Sequence, residues 1–190
     1  MSIRDFAAQH AQNDIDPFPK ESVDNKLNPE DFVRLYADDV WRFVSSKLGR
    51  REDVEDVVME VFGVACRNIR SLERADSPRV WLLVVARRKA MDLLRRTYRR
   101  PELPLEAAEQ ASQLVAPDLR EEVRLLIDQL PDPYRDVLIL KYVNGLDTNE
   151  VATIMKKSSQ ATNSMLQRAR QSLKELGIAE IPGLARGAHS

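Results

Sequence analysis

Apolar residues recur at helical spacing in two stretches of this chain, separated by polar, proline-containing sequence. The first stretch opens at Asn28, Pro29, Glu30 and Asp31: a capping residue, a proline suited to the first helical position, and two acids at the positive end of the dipole. Phe32, Leu35, Tyr36, Phe43 and Val44 then define an apolar face, and Gly49 is a stop. A second helix is predicted from about Glu52 to Arg70. Val54, Val57, Val58, Val61, Phe62, Ala65 and Ile69 share its inner face, and Asp53, Asp56 and Glu60 share another, widened by Glu52 and Glu55. Ser77 and Pro78 start a third helix. Its Val80–Ala86 segment is apolar on all sides, so this helix belongs at the centre of its domain.

The second stretch predicts a helix near Asp118–Leu130, a break at Pro131, Asp132 and Pro133, and a helix near Tyr134–Val143. Asn144 and Gly145 turn the chain. Asp147 or Thr148 caps a short helix through about Lys156, and Ser158 or Ser159 caps a long one ending near Gly177. No strand-like alternation competes. The expected fold class is all-α, with two small helical domains joined by a flexible linker. The expected boundaries are a tail over 1–27, domains over 28–100 and 118–177, an acidic linker over 101–117 and a second tail over 178–190.

Composition changes this picture little, and charge placement changes it much. The 190 residues are 43% hydrophobic and 31% charged, an ordinary globular balance. The longest apolar run, Val80–Ala86, is too short to cross a bilayer, so no membrane insertion is expected. The first residues lack a basic start followed by an apolar core, so no secretory signal is read there. The single Cys66 fits a reducing cytoplasm, and its place beside the apolar stripe makes it a small packing residue.

The net charge of −1 argues against a nucleic-acid binder, but the charge is segregated. Arg87–Arg100 holds seven bases against Asp92, a net of +6, whereas Pro101–Glu122 has a net of −5. The local field decides where a polyanion can sit. Seven bases exceed what a helix C-terminus requires, so Arg87, Arg88, Lys89, Arg95, Arg96 and Arg99 are candidate phosphate contacts. Trp81, beside that tract, is a candidate to stack on an exposed base, whereas Trp41 is read as core.

In the last helix Thr162, Leu166, Ala169 and Leu173 form an inward stripe. Asn163, Gln167, Arg170 and Lys174 form a polar stripe one residue on. A polar stripe alone is the solvated face of a bundle helix. The short helix and tight turn before it make the pair a helix-turn-helix. Gln160, Asn163, Ser164 and Gln167 then fall in the first turns that enter a major groove. Asn163 and Gln167 suit base edges, and Arg168 and Arg170 suit phosphates.

Chemistry has no candidate residues. His10 and His189 lie in the presumed tails, the six glycines are scattered, and no phosphate-cradling motif occurs. The acids of the second helix lack the turn residues or histidines of a metal site, so neither cofactor nor metal is expected. They form either a solvated face or a docking surface for a basic partner.

Three motifs in order resemble the sigma-70 family of bacterial RNA polymerase sigma factors, in particular its extracytoplasmic-function group. Arg51–Phe62, REDVEDVVMEVF, resembles the family's R-E-D-A-E-D-L-V-Q-E-T-F. Trp81–Arg87, WLLVVAR, with Asp92–Arg96, DLLRR, resembles W-L-x-x-I-A-R-N-x-x-x-D-x-L-R-R. Leu130, Pro131, Val137, Leu138, Tyr142, Gly145 and Leu146, then Glu150–Ala152 and Leu166–Arg170, resemble region 4. The resemblance spans about Asp31–Leu176.

It implies region 2 followed by region 4, and no enzymatic activity. Asp53, Glu55, Asp56 and Glu60 would bind core RNA polymerase. Glu73–Arg79 and the helix from Val80 would open and hold the promoter's minus-ten element, with the acidic linker threading the polymerase channels. Gln160, Asn163, Ser164, Gln167, Arg168 and Arg170 would engage the minus-thirty-five element. An anti-sigma factor is a further partner the family leads one to expect. Arg88 stands where the family commonly has asparagine, and Gln160, Asn163 and Met165 stand where it often has glycine, lysine and arginine. The recognition helix is thus less basic than usual, and a promoter sequence does not carry over. The rival reading is a stand-alone helix-turn-helix regulator whose first domain senses or dimerises; the basic tract has no purpose in such a domain.

Overall fold

The computed structural model describes residues 29–98 and 121–177, and every regular element among them is helical. The first unit contains α1 (Pro29–Ser45), α2 (Arg51–Arg67), α3 (Ile69–Glu73) and α4 (Pro78–Tyr98). The second contains α5 (Glu121–Asp128), α6 (Asp132–Leu138), a π-helical turn (Ile139–Val143), α7 (Thr148–Met155) and α8 (Ser159–Glu175). The expected tails, the whole of the expected linker and Arg99 lie outside the described residues. Among those described, no helix is long and apolar enough to cross a membrane.

The helix apolar on all sides is central, as its pattern requires. α4 packs against α1, α2 and α3 of its own unit and against α7 of the other. Leu82, Leu83, Ala86 and Ala90 are fully buried along it. Each such leucine contributes about 1.5–3 kcal/mol by leaving water. The stripe read on α2 is buried from Val54 to Ala65. On α1 the stripe is narrower than expected: Phe32, Phe43 and Val44 are buried, but Leu35 is 53% exposed. Cys66 is also exposed and does not pack.

The helix expected over Glu52–Arg70 is two helices. Asn68 leaves helical geometry and its side-chain amide donates back to the Val64 carbonyl at 2.8 Å. A short amide offers the backbone this alternative partner. The chain restarts at Ile69, which brings Leu72 into the core.

The second unit departs from expectation at both ends of its second helix. Pro131 is the N-cap and Pro133 sits within the first turn, so α6 starts at Asp132 rather than Tyr134. Proline is tolerated there because its missing N–H would have had no helical partner. At the other end the helix widens. The Asn144 amide donates to the Ile139 carbonyl at 2.9 Å, five residues back. Asp136, Val137, Leu138, Ile139 and Leu140 are consecutively buried because α6 packs against α8 and the π turn reaches α1. Gly145 then reverses the chain at φ +67°, a conformation strained for a side-chain-bearing residue.

Candidate nucleic-acid interface

The helix-turn-helix is held by reciprocal caps. The Asp147 carboxylate accepts from the amides of Asn149 and Glu150 at 2.7 and 2.9 Å. Glu150 accepts from the Asp147 amide at 2.9 Å, completing a capping box. Asp147, not Thr148, is therefore the cap. α7 ends at Lys156 in the left-handed region, φ 54°, and this sharp turn redirects the chain into α8. Ser158, rather than Ser159, caps α8 by accepting from the Ala161 amide at 3.1 Å. Ser159 is used differently: its hydroxyl donates to Asn149 at 2.6 Å and ties the two helices together.

This geometry sorts the faces of α8 as its sequence pattern does. Thr162, Leu166, Ala169 and Leu173 are buried. Gln160, Asn163, Ser164, Gln167, Arg168 and Arg170 are all exposed, so the residues assigned to duplex reading lie on the open side of one helix. The Arg170 guanidinium lies 5.9 Å from the Tyr142 ring centroid, a cation–π contact that steadies it. The Ser164 hydroxyl donates to the Gln160 carbonyl within the helix.

In the first unit, the acidic face and part of the basic tract meet. Asp53, Asp56 and Glu60 of α2 line one side of a cleft whose other side carries Lys89, Asp92 and Arg96 of α4. Lys89 Nζ lies 2.6 Å from Glu60 Oε2. Glu55 instead pairs with Arg51 at 2.8 Å, and Arg51 lies over Trp41. Arg88, Arg95 and Arg96 are exposed, with Arg95 3.5 Å from Asp92. Trp81 and Trp41 are both partly buried against the core.

Arg87 is drawn elsewhere. Its Nε donates to Asp136 Oδ2 of the second unit at 3.0 Å. Asp136 Oδ1 lies 2.8 Å from Lys47 Nζ, close enough to pair though not aligned for a hydrogen bond. The aligned bond from Lys47 goes to Asp132 at 3.1 Å. Nearby, Arg79 donates twice to Asp39, each at 2.7 Å, and also to the Asn144 carbonyl. The Asn144 side chain donates to the Asp39 carbonyl and carboxylate at 2.9 and 3.2 Å. The hydrogen bond to Asp39 raises the Arg79 pKa, with burial opposing it; burial foremost raises that of the neighbouring Tyr36. Reading the sequence missed this network. Its only local trace is a charge set beside apolar neighbours, Lys47 before Leu48 and Asp136 before Val137.

Comparison with known proteins agrees with this layout. The family model for Sigma-70 region 2 matches residues 32–100, and that for Sigma-70, region 4 matches residues 120–173. ECF RNA polymerase sigma factor SigM of Bacillus subtilis is 31% identical over 153 residues, covering 77% of this chain and 93% of the relative. The chain belongs to the sigma-70 family, in its extracytoplasmic-function group. SigW of the same organism is 26% identical over 163 residues, covering 76% of this sigma factor and 86% of the relative. CnrH, solved in complex with the cytosolic domain of CnrY, superposes at TM-score 0.58 with 25% identity, covering 91% of this chain and 95% of that one. RpoE of Bartonella quintana, solved with the anti-sigma factor NepR, shares the fold at TM-score 0.64, with 19% identity and coverage of 80% and 98%.

Proposed function

We propose that this chain is an alternative sigma factor: it binds core RNA polymerase, recognises the minus-ten and minus-thirty-five promoter elements, and starts transcription. The observation that carries the reading is the succession of a region 2 and a region 4, the latter ending in a capped helix whose apolar stripe is buried and whose amide-rich face is open. Residues 28–100 serve as the polymerase and minus-ten unit, 101–117 as the linker and 118–177 as the minus-thirty-five unit. Asp53, Glu55, Asp56 and Glu60 dock the polymerase. Trp81, Arg87, Arg88, Lys89, Arg95, Arg96 and Arg99 serve the opened minus-ten region, and the exposed face of α8 reads duplex DNA.

The protein acts as a specificity subunit in the cytoplasm, with no catalysis of its own. An anti-sigma factor is proposed as a partner by analogy with the complex of RpoE with NepR. Run-off transcription with purified core polymerase tests the function. Promoter-dependent transcripts should require this chain. Tight sequence-specific binding by the chain alone, without stimulation of core polymerase, would establish the stand-alone regulator instead.

A further inference from the structure

The polar stripe of α8 continues onto α7. Ser159, the first residue of α8, heads a row that runs on through Asn163, Gln167 and Arg170 at helical spacing. All of these residues are exposed. The Ser159 hydroxyl donates to Asn149 Oδ1 at 2.6 Å, so Asn149 of α7 lies beside the head of the row. In a helix-turn-helix the first helix crosses the DNA backbone while the second enters the major groove.

Asn149 is exposed, yet most of its polar groups are engaged. Its backbone amide donates to Asp147 at 2.7 Å, and its carbonyl accepts from the Thr153 hydroxyl at 3.0 Å. Its side-chain oxygen is taken by Ser159. The side-chain Nδ2 donates to no group among the described residues. Oδ1 and Nδ2 leave the same carbon in different directions, so fixing the oxygen also fixes the two N–H donors. Ser159 thereby leaves them facing solvent beside the reading row. The neighbouring acids are committed to the cap: Asp147 accepts from two amides, and Glu150 accepts from the Asp147 amide.

A pair of oriented donors without an acceptor fits an acceptor-only group. On the path of α7 that group is a backbone phosphate. We propose that Asn149 is a further DNA-contact residue whose Nδ2 donates to one phosphate at the edge of the minus-thirty-five element, with Ser159 as its positioning residue. The proposal deepens the sigma-factor reading of α8 and rests on it for the identity of the duplex. Its own content is a chain of contacts from phosphate through Asn149 to Ser159, which anchors the end of α8 nearest Asn163. The contact is a directional hydrogen bond from a neutral amide, so it differs from the ion pairs offered by Arg168 and Arg170.

The test uses the full chain assembled with core polymerase. Single phosphates across the minus-thirty-five element and its flanks are replaced in turn by uncharged methylphosphonate. At one position the replacement should weaken wild-type binding about tenfold, the strength of one hydrogen bond to a charged group. At that position it should cost Asn149→Ala nothing further. On the unmodified promoter Asn149→Ala should lose about tenfold with an unchanged salt slope, because no cation is removed. Asn149→Asp keeps an acceptor for Ser159 but lacks the donor. It should bind at least as weakly as Asn149→Ala, while hydrogen exchange over α7 and α8 stays as in the wild type. Ser159→Ala should lose part of the affinity and add nothing to Asn149→Ala, whereas Ser159→Thr, which keeps the hydroxyl, should bind as the wild type does.

Unimpaired binding by Asn149→Asp, or a scan in which no phosphate couples to Asn149, would overturn the contact. Unimpaired binding by Ser159→Ala would overturn the positioning role. Run-off transcription by the wild type is measured separately, and its absence would sink the sigma-factor reading. The same scan then runs on a duplex that the chain alone selects from a random pool, where the same outcomes judge Asn149. Failure to select any duplex would overturn the contact as well.

Discussion

Lys89 Nζ lies 2.6 Å from Glu60 Oε2, joining the basic tract of α4 to the acidic face of α2 in one ion pair. The Glu60 side chain is 55% exposed, so water and salt screen the interaction. Such a pair exchanges readily for stronger partners on either side. Glu60→Gln should change the unfolding free energy by less than about 1 kcal/mol, as measured by urea denaturation. A loss of several kcal/mol would make the pair a structural element rather than two available surface groups.

The same face carries the proposed polymerase contact. Asp56 is exposed, and Asp53 and Glu55 are half-buried. Reversing all three to Lys should greatly weaken assembly with core polymerase through like-charge repulsion. The fold should survive, since surface substitutions usually stay within about 0.5 kcal/mol each. Loss of the Arg51–Glu55 pair adds only a few tenths of a kcal/mol. Native circular dichroism with unimpaired polymerase binding would remove these residues from the interface.

What the sequence discloses here follows from the range of the forces involved. Local patterning found α4 as the central helix because Val80–Ala86 has no polar side to leave in water. It sorted α8 residue by residue, because the turn and cap before that helix fix which face turns inward. It overextended the stripe on α1 to Leu35, since a period of 3.6 does not tell how wide the covering neighbour is. It missed the break at Asn68, where a single side-chain hydrogen bond decides, and the π turn, which apolar content does not signal. The contact of Lys47 with Asp132 spans 85 positions, beyond the reach of any periodicity.

The capping box should contribute measurably to the second unit. Asp147→Ala leaves the amides of Asn149 and Glu150 without their carboxylate acceptor. The expected cost is about 0.5–2 kcal/mol. Hydrogen exchange should quicken at these two amides first, because protection there depends on the cap itself. Unaltered exchange at both positions would contradict the reciprocal bonding.

The basic tract should act in strand opening. Replacing Arg88, Arg95, Arg96 and Arg99 by Ala removes four cations from the first unit, three of them exposed and Arg99 beyond the described residues. Open-complex formation should fall, and the salt slope of promoter binding should drop by roughly one unit per lost phosphate contact. Permanganate reactivity of minus-ten thymines reports the opening directly. Normal reactivity in the quadruple variant would assign these arginines to solvent.

Base reading by the second unit should rest on Asn163 and Gln167. Both are exposed on α8, while their neighbours Thr162 and Leu166 are buried and cannot reach DNA. An amide offers one donor and one acceptor, the pair adenine presents in the major groove. Asn163→Ala should cost about 1–3 kcal/mol on the preferred minus-thirty-five element and relax selection at one base pair. Arg170 differs, because its guanidinium is poised over Tyr142 and carries charge rather than a base-specific pattern. Arg170→Ala should weaken all sequences about equally. A randomised minus-thirty-five library transcribed by the wild type and by each variant separates the two effects. A selected motif unchanged at every position by Asn163→Ala would take that residue out of base reading, whereas a motif altered by Arg170→Ala would move the arginine into it.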